Sequence, residues 1–327
     1  MKRVIYCLIV VALVAGLVLG CGPSPAAKEV TLKAISFLPV DHPVNDGAHI
    51  FVDKVNELGK GLIQIDFFGG PEVIPGFDQV EAAKNGNMDM VFSVTAYYGP
   101  MLRSIDVMHL TEHKPWEERE NGLYDFIAEL HKEINVFYIG RWSTNQPFYL
   151  FTTEPSERPA DLAGRKMRTG GLYDDFLKAL GAVALTIEMP DVYTALERGL
   201  VDGFGWPMQG PTINGWTDST KYCIDHPFYE QNNTTVINLD LWNSLAKEQQ
   251  DVLMQAAIEA EKDMWDVHEK QNEEARGRHL AAGLEFIKYS AADADYYTDL
   301  AYASSWQYVK ETVDPVTFTK LEQLLRK

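Results

Sequence analysis

The segment Gly164-Arg165-Lys166-Met167-Arg168 reads as a strand that ends in a cation, and Gly170-Gly171 leads from it into a helix-like stretch. In an open α/β sheet, ligands sit beyond the carboxyl ends of the strands, so Arg168 stands where a ligand would be met. Its planar fork of donors suits a carboxylate. On pattern alone, an ordinary ion pair with one of the many acidic residues fits this arginine equally well.

A second pattern, His109-Leu110-Thr111-Glu112-His113, matches the H-x-x-E-H order of one zinc-peptidase class. That chemistry needs both imidazoles on one face of a regular helix, with Glu112 placed to activate a metal-bound water. Lys114-Pro115 follows at once, and the residue before a proline is biased away from helix. Residues 101–110 also lack a clean amphipathic period. His109 and His113 are therefore expected to be loop histidines, and an exported zinc hydrolase at His109, Glu112 and His113 remains as the alternative. No G-x-S-x-G elbow, Gly-rich phosphate loop or G-x-G-x-x-G occurs, and Gly203-Phe204-Gly205 opens no helix. Neither an enzymatic activity, a cofactor nor a metal site is expected.

Aromatic residues gather near the same kind of position. Tyr97 and Tyr98 follow a strand, Trp142 precedes Asn145, Phe204 and Trp206 lie along another strand, and Phe228-Tyr229 come later. Ligand pockets favour aromatic walls with a few aimed polar groups. Any single aromatic is more often core, but placement at strand ends favours Tyr97, Tyr98, Trp142 and Trp206 as walls. The expected ligand is a small monocarboxylate with an apolar or aromatic body, not a dicarboxylate that needs a second cation.

These residues must be held by a scaffold, and its rhythm is legible. Strands are expected at 30–37, 62–67 and 88–93, with helices between them closed by Gly59 and Gly61 and by Asn85-Gly86. This β-α-β-α-β order predicts a largely parallel sheet. A helix at 116–134 and a strand at 135–140 continue it. A second unit starts at Phe148, with strands near 165–168, 183–187 and 201–205 and helices at 172–180 and 191–198. The strand 234–239 runs back towards the first unit. Residues 247–282 contain no proline and predict one helix of about 50 Å, long enough to cross between lobes. Two helices near 291–310 and 315–326 finish the chain.

The fold class is therefore α/β, in two lobes with a long lobe-crossing helix. Residues 30–147 and 235–290 are expected to form a discontinuous first lobe, 148–234 the second, and 291–327 the C-terminal helices. A length of 327 residues already favours two cores over one. The net charge of −18 repels nucleic acid and anionic lipid at long range, so an anionic ligand must be caught by specific buried cations.

Lys2 and Arg3 precede an apolar run from Val4 to Leu19, too short to span a bilayer but suited to a secretory signal. It ends in Leu17-Val18-Leu19-Gly20-Cys21, followed by a linker at 21–29 rich in Pro, Ser and Ala. This ending resembles a bacterial lipoprotein lipobox. The resemblance implies removal of residues 1–20, acylation of Cys21 and a lipid anchor that holds an extracytoplasmic, periplasmic protein at a membrane. Cys7 leaves with the signal, which leaves Cys223 without a partner as a small buried residue.

The stretch from Gly164 to Gly203 resembles the solute-binding proteins of tripartite ATP-independent periplasmic (TRAP) transporters, the DctP-like family. It reproduces that family's block with Lys166, Arg168, Leu180-Gly181-Ala182, Val192-Tyr193, Ala195-Leu196, Gly199 and Val201-Asp202-Gly203. Upstream, Phe77 to Met90 is similar to another family element. The resemblance implies a two-lobed periplasmic-binding-protein-like fold closing on an organic acid, with Arg168 gripping its carboxylate and membrane permease subunits as partners. Asn145 falls where many members place a polar ligand contact. Gln146 stands where members that bind sialic acid carry a second Arg. Phe204-Gly205-Trp206-Pro207 replaces the frequent Q-E-N-P, so an indole stands near the position of that Asn. In a branch binding 2-oxo acids, Glu-Trp accompanies a cation, and Gly205 removes that carboxylate here. A ligand-sensing subunit of a receptor would share the same fold.

Overall fold

The structure, a computed structural model, describes residues 28–327 except position 232. The expected signal peptide at 1–20, the lipidation of Cys21 and most of the 21–29 linker lie outside the described residues. Among the described residues no helix is long and apolar enough to cross a membrane.

Among the described residues eleven strands follow in order: β1 (Val30–Ser36), β2 (Ile63–Gly69), β3 (Met90–Val94), β4 (Val136–Ser143), β5 (Phe148–Thr152), β6 (Lys166–Thr169), β7 (Val183–Thr186), β8 (Gly203–Pro207), β9 (Tyr222–Ile224), β10 (Asn233–Asn238) and β11 (Glu285–Ile287). They form two sheets, β2-β1-β3-β10-β4 and β11-β9-β5-β8-β6-β7. In the first, β1 runs parallel to β2 and β3, while β10 returns antiparallel between β3 and β4. In the second, β6 runs parallel to β7 and β8, and β5 is antiparallel to β8 and β9. Each sheet is covered by helices, which explains why β3 and β10 are apolar or buried along their whole length.

Two expectations are corrected. The helix expected at 116–134 is two helices, Pro115–Asn121 and Leu123–Lys132. Gly122 between them takes a left-handed backbone (φ 87°), which ends one helix and turns the chain into the next. The first lobe also does not hold all of 235–290, because Glu285–Ile287 pairs in parallel with β9 in the second sheet. A three-residue edge strand carries too little periodicity to be read from sequence.

The long helix runs from Lys247 to Ala281. Near its start Leu253, Ala256, Ala257, Ala260 and Met264 are buried, and it packs there on β4 and the helix Asp46–Leu58 of the first lobe. Near its end it reaches the second lobe, where His279 Nε2 lies 2.7 Å from the Met208 carbonyl and Arg276 grips Asp225 through two bonds of 2.7 and 2.8 Å. Between these ends Glu261 accepts from Arg119 Nε and Nη2, both at 2.8 Å, and from the Arg141 backbone N–H at 3.0 Å. Besides this helix, the chain crosses between the sheets from β4 to β5 and from β9 to β10. Those two crossings run side by side. Gln231 N–H donates to the Gln146 carbonyl at 3.1 Å, and Phe148 N–H donates to the Tyr229 carbonyl at 2.8 Å.

Candidate functional site

The carboxyl ends of β3 and β6 and the ends of β1 and β8 converge on one chamber of about 40 Å³. Phe37, Val94, Ala96 and Tyr97 of the first lobe close it from one side. Arg168, Gly170, Leu172, Tyr173 and Trp206 of the second lobe close it from the other, with Phe148 and Gln231 from the crossing segments. A larger cleft of about 610 Å³ shares Ala96, Tyr97, Gly170 and Leu172 with the chamber. Asp106, Asp174, Asp175, Arg103 and Lys178 line its outer part.

Arg168 is the penultimate residue of β6 and is 2% exposed. Its Nε donates to the Ile187 carbonyl at 2.8 Å, which fixes the guanidinium, while Nη2 is buried with no partner in the protein. No carboxylate pairs with it among the described residues. The guanidinium carbon lies 5.4 Å from the centroid of the Trp206 ring, within cation–π reach. A buried cation of this kind is costly to hold unpaired and is oriented to receive an anion.

Trp206 is held in turn by Trp216, edge to face at 5.0 Å. Tyr97 stands between Phe77 at 4.2 Å and Phe37 at 5.3 Å. Burial pushes its phenol above the usual range, opposed by the neighbouring Arg168 charge. Tyr173 supports the opposite wall. Its hydroxyl accepts from the Gly205 N–H at 3.0 Å and lies within donating reach of the Gly205 and Arg168 carbonyls at 2.8 and 3.0 Å. A Cβ on Gly205 would stand 2.5 Å from the Tyr173 ring. The glycine that replaces an acidic residue in the sequence pattern is thus the space that Tyr173 fills.

The residues singled out from sequence divide into two groups. The structure brings Arg168, Tyr97 and Trp206 together around the chamber. Trp142 stands one layer behind, fully buried, with its indole N–H on the Ser93 carbonyl at 2.9 Å and its ring 5.9 Å from Phe37. Tyr98 lies on the other face of the first sheet, where its hydroxyl is engaged by His131 at 2.9 Å and Thr234 at 2.8 Å. Phe204 stacks on Phe151 at 5.0 Å inside the second lobe and does not line the chamber.

Asn145 belongs to the crossing segment, with a left-handed backbone (φ 57°). Its Nδ2 donates to the Trp265 carbonyl at 3.3 Å, and its own carbonyl accepts from Asn272 at 2.7 Å. Gln146 beside it is 1% exposed, and its Oε1 has no partner in the protein. Its backbone N–H donates to Glu230 at 2.6 Å. Burial raises the Glu230 carboxyl to about 7. Phe37, Phe148, Leu172, Tyr173 and Gln231 line the chamber without having been singled out. Gln231 sits in no motif, and only the Gly170-Gly171 pair hinted at Leu172 and Tyr173.

The H-x-x-E-H stretch forms no regular helix. His109 lies in a 3-10 turn with Nε2 2.7 Å from Ser305 Oγ, and His113 Nε2 lies 3.2 Å from the Arg326 carbonyl. Burial depresses the His109 imidazole to about 3. No group of three or more His, Cys, Asp or Glu that could hold a metal gathers among the described residues.

Residues 36–308 match the family described as bacterial extracellular solute-binding protein, family 7. A monocarboxylate 2-oxoacid-binding periplasmic protein of Nostoc is 26% identical over 255 residues, covering 75% of this chain and 70% of that protein. A C4-dicarboxylate-binding periplasmic protein of Rhodobacter capsulatus is 22% identical, covering 82% and 83%. Among solved structures, a TRAP periplasmic solute-binding protein of Desulfovibrio salexigens with bound orotic acid superposes with a TM-score of 0.81 at 18% identity, over 90% of this chain and 97% of that one. Another, of Ralstonia eutropha with bound (S)-2-acetolactate, superposes with a TM-score of 0.77 at 22% identity, over 90% and 98%.

Proposed function

Because this chain belongs to family 7 of the bacterial extracellular solute-binding proteins, we propose that it is the periplasmic receptor of a TRAP transporter, built to capture a small monocarboxylate. The observation that carries this reading is Arg168, buried, anchored by Nε and with Nη2 free of any protein partner at the chamber. A ligand carboxylate would complete the fork and replace the water that an isolated guanidinium gives up on burial.

Two features favour a monocarboxylate. Among the described residues Arg168 is the sole cation lining the inner chamber, whose other walls are mostly apolar or aromatic. A chamber of about 40 Å³ takes a head group of a few atoms, with the remainder of the ligand directed to the larger cleft. The Nostoc relative is named for monocarboxylate 2-oxoacids and the Rhodobacter relative for C4-dicarboxylates, and the single cation supports a ligand nearer the former kind.

The mechanism is capture and release without chemical change. Walls from both lobes meet the ligand at once, so binding favours the closed arrangement. The two crossing segments and the long helix are the elements able to absorb a hinge rotation. Cys21 would tether the protein to the membrane by its acyl chains, and the permease subunits would receive the closed form.

Thermal unfolding of the chain from residue 22 onward, with and without a panel of organic acids, tests the reading. A ligand at 100 times its Kd stabilises by roughly 2.7 kcal/mol, a shift of a few degrees. A shift with monocarboxylates and none with dicarboxylates is the expected result. Shifts with dicarboxylates alone would overturn the monocarboxylate reading.

A further inference from the structure

Asn233 opens β10 and is fully buried, yet neither Nδ2 nor Oδ1 of its side chain has a partner among the described residues. Buried side-chain amides are normally satisfied, so one with both atoms free requires an explanation. Its direction follows from register. Asn233 pairs laterally with Val94 on β3, and laterally paired residues share a face of the sheet. Val94 lines the inner chamber. Two residues earlier in the chain, Gln231 lines it too, and its Oε1 also lacks a protein partner at 3% exposure. Asn233 is not itself one of the lining residues, but it shares with Val94 the sheet face that borders the chamber, beside Gln231.

The chemistry of these groups is complementary but unequal. Arg168 only donates, and a carboxylate satisfies it fully. The amides of Asn233 and Gln231 add acceptors that a carboxylate cannot meet, together with the Asn233 donor. A carbonyl oxygen would pair with the donor and leave the acceptors unmet. A hydroxyl both donates and accepts, so it can meet both kinds of atom. Because both atoms of the Asn233 amide are free, turning that group over changes nothing.

We propose that Asn233, together with Gln231, reads a hydroxyl beside the ligand carboxylate, which makes the preferred ligand a hydroxy monocarboxylate. This rests on Arg168 being the carboxylate grip. A site with buried polar groups rejects analogues that lack the matching group, because those atoms are then left unpaired.

Calorimetric titration of the chain from residue 22 with matched sets of acids tests it. Each set holds the 2-hydroxy, 2-oxo and unsubstituted acid on one body, with methyl, isopropyl and benzyl bodies. The native protein should bind the hydroxy acid of its best set at least tenfold tighter than both partners. Asn233→Leu, which keeps the branched skeleton but replaces both polar atoms by methyl groups, should lose that preference and bind the unsubstituted acid as tightly as the native protein or tighter. Asn233→Ser, which keeps a donor and an acceptor, should retain part of the preference even if the leucine variant folds poorly. A native preference for the oxo or unsubstituted acid, or a hydroxyl preference unchanged in both variants, would overturn the assignment while leaving carboxylate binding intact. Failure of every acid to bind the native protein would overturn the reading of Arg168 as well.

Discussion

His42 and Asn214 join the two lobes, with the imidazole Nε2 2.8 Å from the Asn214 side-chain oxygen. The Val44 backbone N–H donates to Nδ1 at 3.2 Å, so Nδ1 is the bare nitrogen and Nε2 carries the proton given to Asn214. The bond spans first-lobe and second-lobe loops, so parting of the lobes would break it. A single hydrogen bond of this kind contributes about 1 kcal/mol. His42→Ala is therefore expected to weaken ligand affinity roughly fivefold, through faster release. Stopped-flow fluorescence, with Trp206 of the chamber as reporter, reads the release rate directly.

Arg168 makes one hydrogen bond from Nε and leaves Nη2 without a protein partner. Replacing it by an apolar residue of similar length removes a buried cation that nothing in the protein neutralises. Arg168→Met should therefore abolish carboxylate binding while the ligand-free midpoint stays level or rises. Arg168→Lys keeps the charge but loses the fork, and should lower affinity at least tenfold. Thermal scans without ligand and titrations with it separate the two effects. A ligand-free midpoint several degrees below the native one in Arg168→Met would show that the arginine serves the fold first.

The contrast between Tyr97 and Tyr98 shows what a sequence can and cannot say about such a site. Both follow β3 at its carboxyl end, and nothing local distinguishes them. They lie in one short helical turn, Thr95–Tyr98, where neighbours point about 100° apart. Tyr97 turns to the chamber, and Tyr98 turns through the sheet to His131 and Thr234. Phe204 and Trp206 share a face of β8, but only the residue nearer the strand's end reaches the chamber. Arg168 was singled out by its place at a strand terminus and by the family resemblance, since the pattern alone fits an ion pair equally well, and the structure puts it at the chamber wall. Gln231 was not, because its position comes from the pairing of two crossing segments distant in sequence. The helices and central strands followed their periodicity, whereas β11 exists through its pairing with β9 alone.

Glu230 makes the crossing segments sensitive to pH. Its carboxylate accepts the Gln146 N–H at 2.6 Å, and burial raises its carboxyl to about 7, against the attraction of Arg141. A carboxyl whose folded value lies above its unfolded one binds more protons when folded. Its contribution to stability is thus present below the unfolded value and lost as pH rises through about 7. Glu230→Gln should remove that loss. The variant should gain on the native protein between pH 5 and pH 8 by up to about 2–3 kcal/mol. Urea unfolding at the two pH values checks this, and a difference that runs the opposite way would place the Glu230 carboxyl below its unfolded value.

Gly205 sets the shape of the chamber through a residue that it does not itself contact by any side chain. A Cβ at this position would stand 2.5 Å from Tyr173 Cζ and 2.8 Å from its hydroxyl. The ring cannot yield freely, since that hydroxyl is held by the Gly205 N–H and packed in a wall shared with Phe148 and Phe228. Gly205→Ala should therefore cost about 1–3 kcal/mol by overpacking. It should also weaken ligand binding, because the displaced ring moves into the chamber that it lines. Tyr173→Leu alone should cost stability through the lost hydroxyl contacts and the lost ring packing. The double variant should be less damaged than the sum of the two, because the smaller side chain gives the new methyl its space. A double-mutant cycle on unfolding free energy measures this coupling. Strict additivity would mean that Gly205 is present for some reason other than the Tyr173 ring.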